Sequence, residues 1–407
     1  MARIVIVTPY FWPDIAASVP LMTSLCEDLS NYGHNVSVLT HSPGKGLEKE
    51  TKNYFKYDFS SSGCYKGVRV IRFSNCFFRF KGMLAKILEY LAFTIWATLM
   101  CCIMSFRTDI FFISSNPPLL GLPIYYATRL GRSKVVYNLQ DLFPDSAVST
   151  SKLKKGTIYN FFKFIEKKNY DNTTVTVISE EFKQYVKRIS KKTDVYVIPN
   201  WVDTEKVIQI KSEDNWFLKK LNIVNKFVVL YAGNLGFAQN IDVVLKAAKL
   251  LRNYKDIYFV IVGDGQQKEN VVRTISAEEL KNIILVPFEA PEDVAYVYSS
   301  GDIGLVTTLP GIGRSAVPSK TWSIMACGKP VVACIDEDST LATIVRESCS
   351  GMVIEPDNEK MLASAILEIY QKRSYGIEMG KKGRRFVVEN ISRNAITAKY
   401  CKLFNEI

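Results

Sequence analysis

The sequence predicts an α/β protein of two Rossmann-like, doubly wound domains that face each other across a cleft. Short apolar runs alternate with helical patterns in both halves, as parallel βαβ units require. Glycine-bearing or polar loops follow several of these runs, where α/β sheets bind ligands. The 407 residues, 48% of them hydrophobic, suffice for two cores. We expect domains at 1–200 and 201–390, with a last helix near 391–407 that can pack back on the first.

The first half contains a series of apolar runs that predict strands. The loop Pro9–Ser18, after the first run, carries Trp12 and Asp14. It is a candidate wall of a cleft, although a plain βα loop with two packing aromatics explains it about equally well. The predicted strands are Ile4–Val7, Val36–Leu39, Val68–Phe73, Ile110–Ser114, Val135–Tyr137, Val175–Ser179 and Val195–Ile198.

A polar segment, Asn138–Asp145, follows the strand Val135–Tyr137. Asp141 in this segment could orient an acceptor hydroxyl or take up its proton. The alternative is that Asp141 caps the next segment.

The second half repeats the pattern with glycine loops. A loop with Gly233 and Asn234 follows the first run, and Gly263 follows the second. Such loops can bring backbone N–H groups to a phosphate, but the motif is weak. The predicted strands are Phe227–Tyr231, Ile257–Val262, Ile283–Val286, Ile303–Val306, Val331–Cys334 and Met352–Ile354.

The stretch 302–334 reads as strand, loop, short helix and strand. Ser319 is a favourable N-cap, and Arg314 and Lys320 stand at the same turn, so we interpret it as a seat for a diphosphate. The alternative is an ordinary structural unit with two surface cations. Nearby, 336–338 reads Asp-Glu-Asp, which matches a metal–nucleotide motif but more often forms a solvated loop.

The first half carries nearly all of the net charge of +12. Residues 1–200 hold 26 Lys and Arg against 15 Asp and Glu, and the remainder holds 26 against 25. A one-sided basic domain suggests an anionic partner. No zinc-finger or RNA-binding signature accompanies the charge, so we expect no nucleic-acid partner.

An apolar window at 87–104 and a basic helical stretch at 152–170 point to a membrane surface. The window fits a buried helix, a helix in the membrane interface, or a span; the strand predicted just after it makes a span the weakest of the three. Arg79, Lys81 and Lys86 flank the window, where cations would suit anionic head groups.

The nine cysteines form no CxxC, and only two histidines are present. We therefore expect reduced cytosolic thiols and no metal site. No secretory signal is apparent at the start, so a cytoplasmic chain associated peripherally with the inner face of the plasma membrane is expected.

Several stretches together resemble glycosyltransferase family 4, whose members have the GT-B fold and retain anomeric configuration. They run from about residue 5 to 335 and include VTPYFWPDIAASVP, NLQDLFPDSAV, VIPNWVDTEKV, VVLYAGNLGFAQNIDVVLKAA, FVIVGDGQQKE and VPSKTWSIMACGKPVVA. The resemblance is strongest to the bacterial subgroup of O-antigen and capsule assembly, including L-fucosamine transferases.

The resemblance implies a nucleotide-sugar donor, expected to be a UDP-sugar, on the second domain and an acceptor on the first. It implies no cofactor and no essential metal. The acceptor implied is a polyprenyl-diphosphate-linked sugar. On this basis we expect diphosphate stabilisation by Arg314, Lys320 and the amides near Ser319; donor-phosphate contacts from Gly233 and Asn234; base and ribose contacts from Gly263 and Phe288; and acceptor contacts from Asp141, Trp12 and Asp14.

The sequence departs from the family at its charged positions. Ser315 and Ser323 stand where two glutamates usually contact the donor, Asn234 and Gln239 replace an Arg and a Lys, and Gln140 replaces a His before Asp141. A hydroxyl can still hydrogen-bond a sugar, but without charge assistance. We therefore expect a variant donor set centred on Arg314 and Lys320.

Two other functions stay open at this point. A nucleotide-sugar 2-epimerase of the same fold would need acids and a histidine in the cleft. A non-catalytic paralogue that binds nucleotide or a partner enzyme would explain the lost glutamates.

Overall fold

The structure is a computed structural model that describes residues 1–16, 18–44, 47, 62–74, 83–149, 153–313 and 317–407. The chain divides into two compact units. Unit 1 comprises Met1–Pro199 and Ile396–Ile407, and unit 2 comprises Asn200–Ala395.

Unit 1 is built on an eight-stranded sheet of order β3-β4-β2-β1-β5-β6-β7-β8, in which only the edge strand β3 is antiparallel to its neighbour. The central strands β1 and β5 are almost completely buried because helices cover both faces of such sheets. The strands are β1 (Arg3–Val7), β2 (Asn35–His41), β3 (Ser62–Tyr65), β4 (Val68–Phe73), β5 (Ile110–Ser114), β6 (Lys134–Leu139), β7 (Thr174–Val177) and β8 (Val195–Val197).

Six α-helices belong to the described first 199 residues: α1 (Val19–Asn31), α2 (Met83–Met104), α3 (Gly121–Thr128), α4 (Asp145–Ser149), α5 (Thr157–Asn172) and α6 (Glu180–Ile189). Short 3-10 turns at Ser105–Arg107 and Arg129–Gly131 follow α2 and α3. The sequence missed β3, which lies in a stretch too polar to read as a strand. Because β3 is an edge strand, it does not need a continuous apolar run.

Unit 2 is built on a parallel six-stranded sheet of order β11-β10-β9-β12-β13-β14. All six residues of the central strand β9 are buried. The strands are β9 (Phe227–Ala232), β10 (Ile257–Val262), β11 (Ile283–Val286), β12 (Ile303–Thr307), β13 (Val331–Cys334) and β14 (Gly351–Ile354). The predicted fold class of two parallel α/β sheets is confirmed.

The helices of unit 2 and the last helix complete the fold: α7 (Trp216–Lys220), α8 (Ile241–Leu250), α9 (Lys268–Ala277), α10 (Val294–Ser299), α11 (Lys320–Ala326), α12 (Thr340–Glu347), α13 (Glu359–Gln371), α14 (Arg373–Asn390) and α15 (Arg393–Glu406). Further 3-10 turns lie at Ser212–Asp214, Phe237–Gln239 and Pro291–Asp293. The sequence reading did not identify α14, whose exposed face is rich in lysine and arginine and whose buried face uses glycine.

The last helix is held in unit 1 by aromatic packing and a buried amide. Tyr400 and Phe404 meet Phe112 of β5 edge to face, at centroid distances of 5.5 and 5.8 Å. The side-chain amide of Asn138 donates to Tyr400 Oη and to Thr176 Oγ1, both at 3.0 Å. These contacts tie α15 to strands β5, β6 and β7.

We predict that Tyr400→Phe destabilises unit 1 by about 1–3 kcal/mol, because it removes an acceptor from the buried amide of Asn138. Urea unfolding followed by circular dichroism measures the loss. Tyr375→Phe is the matched control, since Tyr375 is exposed on α14 and should change stability by less than ~0.5 kcal/mol. Equal midpoints for Tyr400→Phe and wild type would contradict the assigned role of this amide.

Candidate functional site

The carboxyl edge of the unit 2 sheet gathers most of the described donor-side residues predicted from sequence. Gly233 directly follows β9, Gly263 directly follows β10, and Phe288 lies two residues beyond β11. Since these strands are neighbours and parallel, their following loops meet at one edge, where α/β sheets bind ligands. Phe288 is exposed there.

The first two of these loops pack backbone to backbone. The Leu235 amide donates to the Asp264 carbonyl, and the Gln267 amide donates to the Leu235 carbonyl, each at 2.8 Å. A Cβ on Gly263 would lie 2.0 Å from the Gly233 carbonyl oxygen, so only glycine fits. The Asn234 side chain lies over Gly265. The glycines therefore serve close packing of the loops, which the sequence alone did not distinguish from phosphate contact.

Lys320 is the first residue of α11, and its ammonium lies beside Gly233 in the loop that follows β9. We call this position the Lys320 corner. The Lys320 Nζ donates to Gln239 Oε1 at 3.1 Å and lies 4.0 Å from the centre of the Tyr231 ring. A Cβ on Gly233 would come within 3.1 Å of the same ammonium. The structure thus brings together three residues that the sequence predicted for the donor site: Gln239 and Gly233 lie beside the Lys320 ammonium.

The surroundings of Lys320 favour an anion. Burial lowers the pKa of Lys320 to about 7, and no carboxylate forms an ion pair with it among the described residues. The face of Tyr231 compensates the charge only in part, since a cation–π contact is worth ~0.5–2 kcal/mol. Sequence reasoning missed Tyr231, which looked like an ordinary strand residue at the end of an apolar run.

Gln239 is itself fixed by the backbone around it. Its carbonyl accepts a hydrogen bond from Thr307 Oγ1 at the end of β12. The next carbonyl back, that of Ala238, accepts from the Leu309 amide at 3.1 Å. The side chain that holds Lys320 is therefore anchored to the neighbouring strand.

The other residues of the 302–334 stretch that the sequence predicted for the donor site do not all lie where they were expected. Arg314 and Ser315 lie outside the described residues. Ser319 occupies the N-cap position of α11 in a helical conformation, but its side chain makes no capping hydrogen bond, so the predicted cap was wrong. Ser323 lies within α11, half-buried.

Asp336, from the acidic run, holds the loop that leads toward residue 314. Its carboxylate accepts from the Gly311 and Gly313 amides, each at 2.8 Å, and Glu337 pairs with Arg346 at 3.4 Å. No group of three potential metal ligands occurs among the described residues. The structure thus assigns Asp336 a loop-anchoring role.

In unit 1, the predicted acceptor residues form two groups at the carboxyl edge of the sheet. Trp12 and Asp14 follow β1, whereas Gln140 and Asp141 follow β6, with β5 between the two strands. Neighbouring strands lie about 4.8 Å apart, which separates the two groups by roughly 10 Å at the strand ends.

Trp12 and Asp14 are held by partners that the sequence did not indicate. The Trp12 ring stacks on Tyr65 of β3 at 4.8 Å, and its carbonyl accepts from Arg72 of β4 at 2.6 Å. Asp14 is buried and accepts from the Gly44 amide at 2.7 Å. Burial lowers the pKa of Arg72, and the Asp14 carboxylate opposes that shift.

A titratable cluster missed by sequence reasoning lies beside the β1 group. Tyr10 and Tyr90 share a hydrogen bond at 3.2 Å, and the His41 imidazole lies 3.9 Å from the Glu89 carboxylate while stacking on Phe93. The only sequence signal for it was a histidine at the end of an apolar strand.

Gln140 belongs to a buried hydrogen-bond chain, while Asp141 projects from it. The Gln140 side-chain amide donates to Asn138 Oδ1 at 2.7 Å, and its backbone N–H donates to Ser115 Oγ at 3.1 Å. Asp141 is exposed and lines a crevice with Phe143 and Glu166. Its side chain makes no capping hydrogen bond to α4 among the described contacts, so the capping alternative was wrong.

The Asp141 segment is anchored at its far end by Asp145. Burial by itself would raise the pKa of Asp145. Hydrogen bonds donated by Tyr159 (2.6 Å) and Tyr185 (2.5 Å) outweigh that effect, so the pKa lies below its usual value. Lys163 bridges Asp145 and Glu166, and burial raises the pKa of Glu166 despite that partner. The network fixes the segment against α5 and α6.

Two family models match the chain, and together they cover most of it. "Glycosyltransferase Family 4" matches residues 21–206, and "Glycosyl transferases group 1" matches residues 212–386.

Named relatives and solved structures agree with these matches. The chain is 26% identical over 266 residues to the probable glycosyltransferase WbjE of Pseudomonas aeruginosa, covering 65% of this chain and 66% of that protein. It is 25% identical over 248 residues to a protein of Escherichia coli K12 named "Putative colanic acid biosynthesis glycosyl transferase WcaI", covering 58% of this chain and 60% of that one. The chain thus spans less than two thirds of the length of either relative.

Among solved structures, HepE of Anabaena, determined in complex with UDP and glucose, matches all of both chains with a TM-score of 0.74 at 14% identity. This likeness shows the fold, which is the GT-B fold that the family resemblance led us to expect. With the two family models on either half, it follows that the chain belongs to the group 1 and family 4 glycosyltransferases.

Proposed function

We propose that the chain is a retaining, metal-independent glycosyltransferase that moves a sugar from a UDP-sugar to a polyprenyl-diphosphate-linked sugar in O-antigen or capsule assembly. Family membership supports the reaction class. The colanic acid assignment in the name of WcaI supports a cell-surface polysaccharide, and the UDP in HepE supports the nucleotide. The finer resemblance to L-fucosamine transferases makes N-acetyl-L-fucosamine our proposed sugar.

The observation that carries the proposal is the Lys320 ammonium, half-buried beside Gly233 without a carboxylate partner among the described residues. When the bond between the sugar C1 and the diphosphate oxygen breaks, negative charge develops on the departing UDP. A fixed cation in a poorly solvated corner stabilises that charge more in the transition state than in the ground state. We assign this role to Lys320, with Arg314 as its proposed second cation.

The remaining donor contacts follow from the same edge of the sheet. We propose that Gly233 and Asn234 face the phosphates, that Gly263 and Phe288 flank the base and ribose, and that Ser319 contributes near the diphosphate. Ser315 and Ser323 would then hydrogen-bond the sugar or ribose where glutamates are usual.

The acceptor step uses groups of unit 1 in this proposal. The acceptor hydroxyl attacks C1 on the face that the diphosphate leaves, and its proton passes to a phosphate oxygen of the departing UDP, so configuration is retained. Asp141 orients the hydroxyl from an exposed, anchored segment, with Gln140, Trp12 and Asp14 contacting the acceptor. No additional base is required, because the leaving group accepts the proton.

A lipid-linked acceptor also requires access to a membrane, and unit 1 has a surface suited to one. Residues 87–107, which comprise most of helix α2 and the turn after it, are the one described segment that is long and apolar enough to cross a membrane by length and composition. Only 22% of its most apolar window is buried. The fully buried interpretation of this window was therefore wrong.

The exposed residues of α2 form one stripe. Ile87, Leu91, Ile95, Leu99 and Ile103 recur every four residues and are all exposed, so they share one side of the helix.

Neighbouring helices extend this apolar surface. Helix α3 packs against both α2 and α5, and α5 exposes Ile158, Phe161 and Phe164. Lys154, Lys155 and Lys167 are exposed on or just before α5. We propose that this surface lies in the interface of an anionic membrane and localises the enzyme to the inner face of the plasma membrane. The flanking cations at Arg79, Lys81 and Lys152 lie outside the described residues, as does the Lys86 side chain.

We predict that Lys320→Met weakens UDP binding by about 10- to 100-fold, since a hydrogen bond to a charged group is worth ~1.5–3 kcal/mol. Isothermal titration calorimetry measures the change, and Lys246→Met, an exposed lysine of α8, is the matched control. Donor turnover should fall with binding. If UDP affinity and donor turnover of Lys320→Met both stayed within about twofold of wild type, the proposed role of Lys320 would be wrong.

The same lysine predicts a pH dependence. Because the pKa of Lys320 is lowered to about 7, the free protein loses this positive charge as pH rises. Above pH 7, UDP binding must therefore be coupled to the uptake of a proton by Lys320. UDP affinity of wild type should therefore fall from pH 7 to 9, by up to about tenfold per unit. Lys320→Met should lack this slope. A parallel pH profile in both proteins would exclude Lys320 as the titrating group.

Membrane docking predicts that Ile95→Glu with Ile103→Glu lowers sedimentation with phosphatidylglycerol vesicles at least about tenfold, because two charges enter an apolar contact. Wild type should bind neutral phosphatidylcholine vesicles more weakly, because each lysine near an anionic surface contributes ~1 kcal/mol to the binding free energy. Val388→Glu, on an exposed part of α14, is the control. Unchanged sedimentation of the double variant would rule out this surface.

A further inference from the structure

A separate cavity of about 170 Å³ opens at the amino edge of the unit 2 sheet. Phe227 begins β9, Asp302 directly precedes β12 and Pro330 directly precedes β13, and all three line it. The loops proposed to bind the donor leave the opposite ends of these parallel strands. A six-residue strand spans about 16–20 Å, so this cavity is distinct from the Lys320 corner.

Close packing of glycine builds one wall of the cavity. A Cβ on Gly380 would lie 2.0 Å from the Gly328 carbonyl oxygen, and one on Gly376 would lie 2.6 Å from the Ile369 side chain. The backbone of α14 therefore rests directly on the turn before β13. Only glycine permits this approach.

This packing places one face of α14 toward the cavity. Arg373, Ile377 and Lys381 are spaced by four residues and all line it. Arg373 opens the helix, where the macrodipole disfavours a cation, so its charge is not explained by helix stability.

The cavity holds more positive than negative charge. Lys329, Arg373 and Lys381 line it together with a single carboxylate, that of Asp302. Asp302 is already engaged, since Oδ2 accepts from the Val228 amide at 2.8 Å and Oδ1 lies 4.0 Å from Arg373 Nη1. One acid cannot neutralise three cations.

Lys329 is the most informative of these cations. It lies in the turn between α11 and β13, and burial lowers its pKa although Asp302 opposes the shift. Its ammonium has no hydrogen bond and no ion pair within 4.0 Å among the described residues. A half-buried ammonium in that position is costly unless an anion neutralises it.

The rest of the lining is apolar and partly aromatic. Phe227, Pro330, Ile369 and Ile377 contribute to it. The Arg373 guanidinium lies 5.1 Å from the centre of the Phe227 ring and 5.7 Å from that of Tyr370. This stacking fixes the orientation of the fork that arginine uses to bind phosphate with two hydrogen bonds.

We propose that this cavity is a second ligand site, which binds the phosphate group of a small phosphorylated molecule. The phosphate lies between Lys329 and Arg373 with Lys381 at its rim, and the remainder of the molecule contacts Phe227 and Ile377. A phosphate dianion matches the excess of two positive charges, which a single carboxylate does not. The site stands independently of the donor site, because no residue is shared.

Calorimetric titration of inorganic phosphate into the full chain tests the proposal, with and without saturating UDP. Wild type should bind one phosphate in both conditions. Lys329→Met and Arg373→Gln should each weaken binding by about 10- to 100-fold. Lys360→Met, an exposed lysine of α13, should leave it unchanged, and phenyl phosphate should bind more tightly than phosphate through the apolar wall.

Two controls make the outcome decisive. Lys320→Met should bind phosphate like wild type, so failure of the donor proposal and failure of this one are distinguishable. Phosphate binding that disappears when UDP is added would mean that phosphate occupies the donor site and would overturn the proposal. Absence of binding at about 10 mM phosphate in wild type, or binding that survives both variants, would equally overturn it.

Discussion

The contact between the Lys320 ammonium, Gln239 and the face of Tyr231 is the interaction on which the donor side of this molecule depends. It requires α11 to begin at residue 320 and Gln239 to be tied to β12 through Thr307. Glycine at 233 fits this arrangement, because its φ is +151° and a Cβ there would lie 3.1 Å from the ammonium. The parallel sheet supplies the rest, by bringing the loops after β9 and β12 to one edge. An ammonium fixed in this position can contribute to function only when an anion binds beside it.

Charge also organises unit 1, where it acts through anchored loops. Arg72 holds the Trp12 backbone, and Asp145 is held by Tyr159 and Tyr185. Helix α5 supplies Tyr159 on one side and exposes Phe161 and Phe164 on the other. The segment with Asp141 and the proposed membrane surface are thus connected through a single helix. That arrangement is consistent with the lipid-linked acceptor that we propose.

The sequence predicted the sheets well because buried parallel strands require continuous apolar runs, as β1, β5 and β9 have. It predicted that Lys320, Gly233 and Gln239 belong to the donor site, but it could not show that they touch. Tyr231, Tyr65 and Arg72 were missed because their roles come from tertiary packing and no local pattern marks them. Helix α14 was missed because its buried face uses glycine. The Ser319 cap failed because the residue adopts a helical conformation, which turns its hydroxyl away from a capping role.

The most direct test of the central claim is an acceptor-dependent transfer assay with UDP-N-acetyl-L-fucosamine and polyprenyl-diphosphate-linked sugars. Mass spectrometry of the lipid would follow the transfer, and proton NMR of the product would show its anomeric configuration. Our account predicts that UDP release requires the acceptor and that the product keeps the configuration of the donor. Tight UDP binding without transfer to any lipid-linked sugar, release of a 2-epimer, or an inverted product would contradict it.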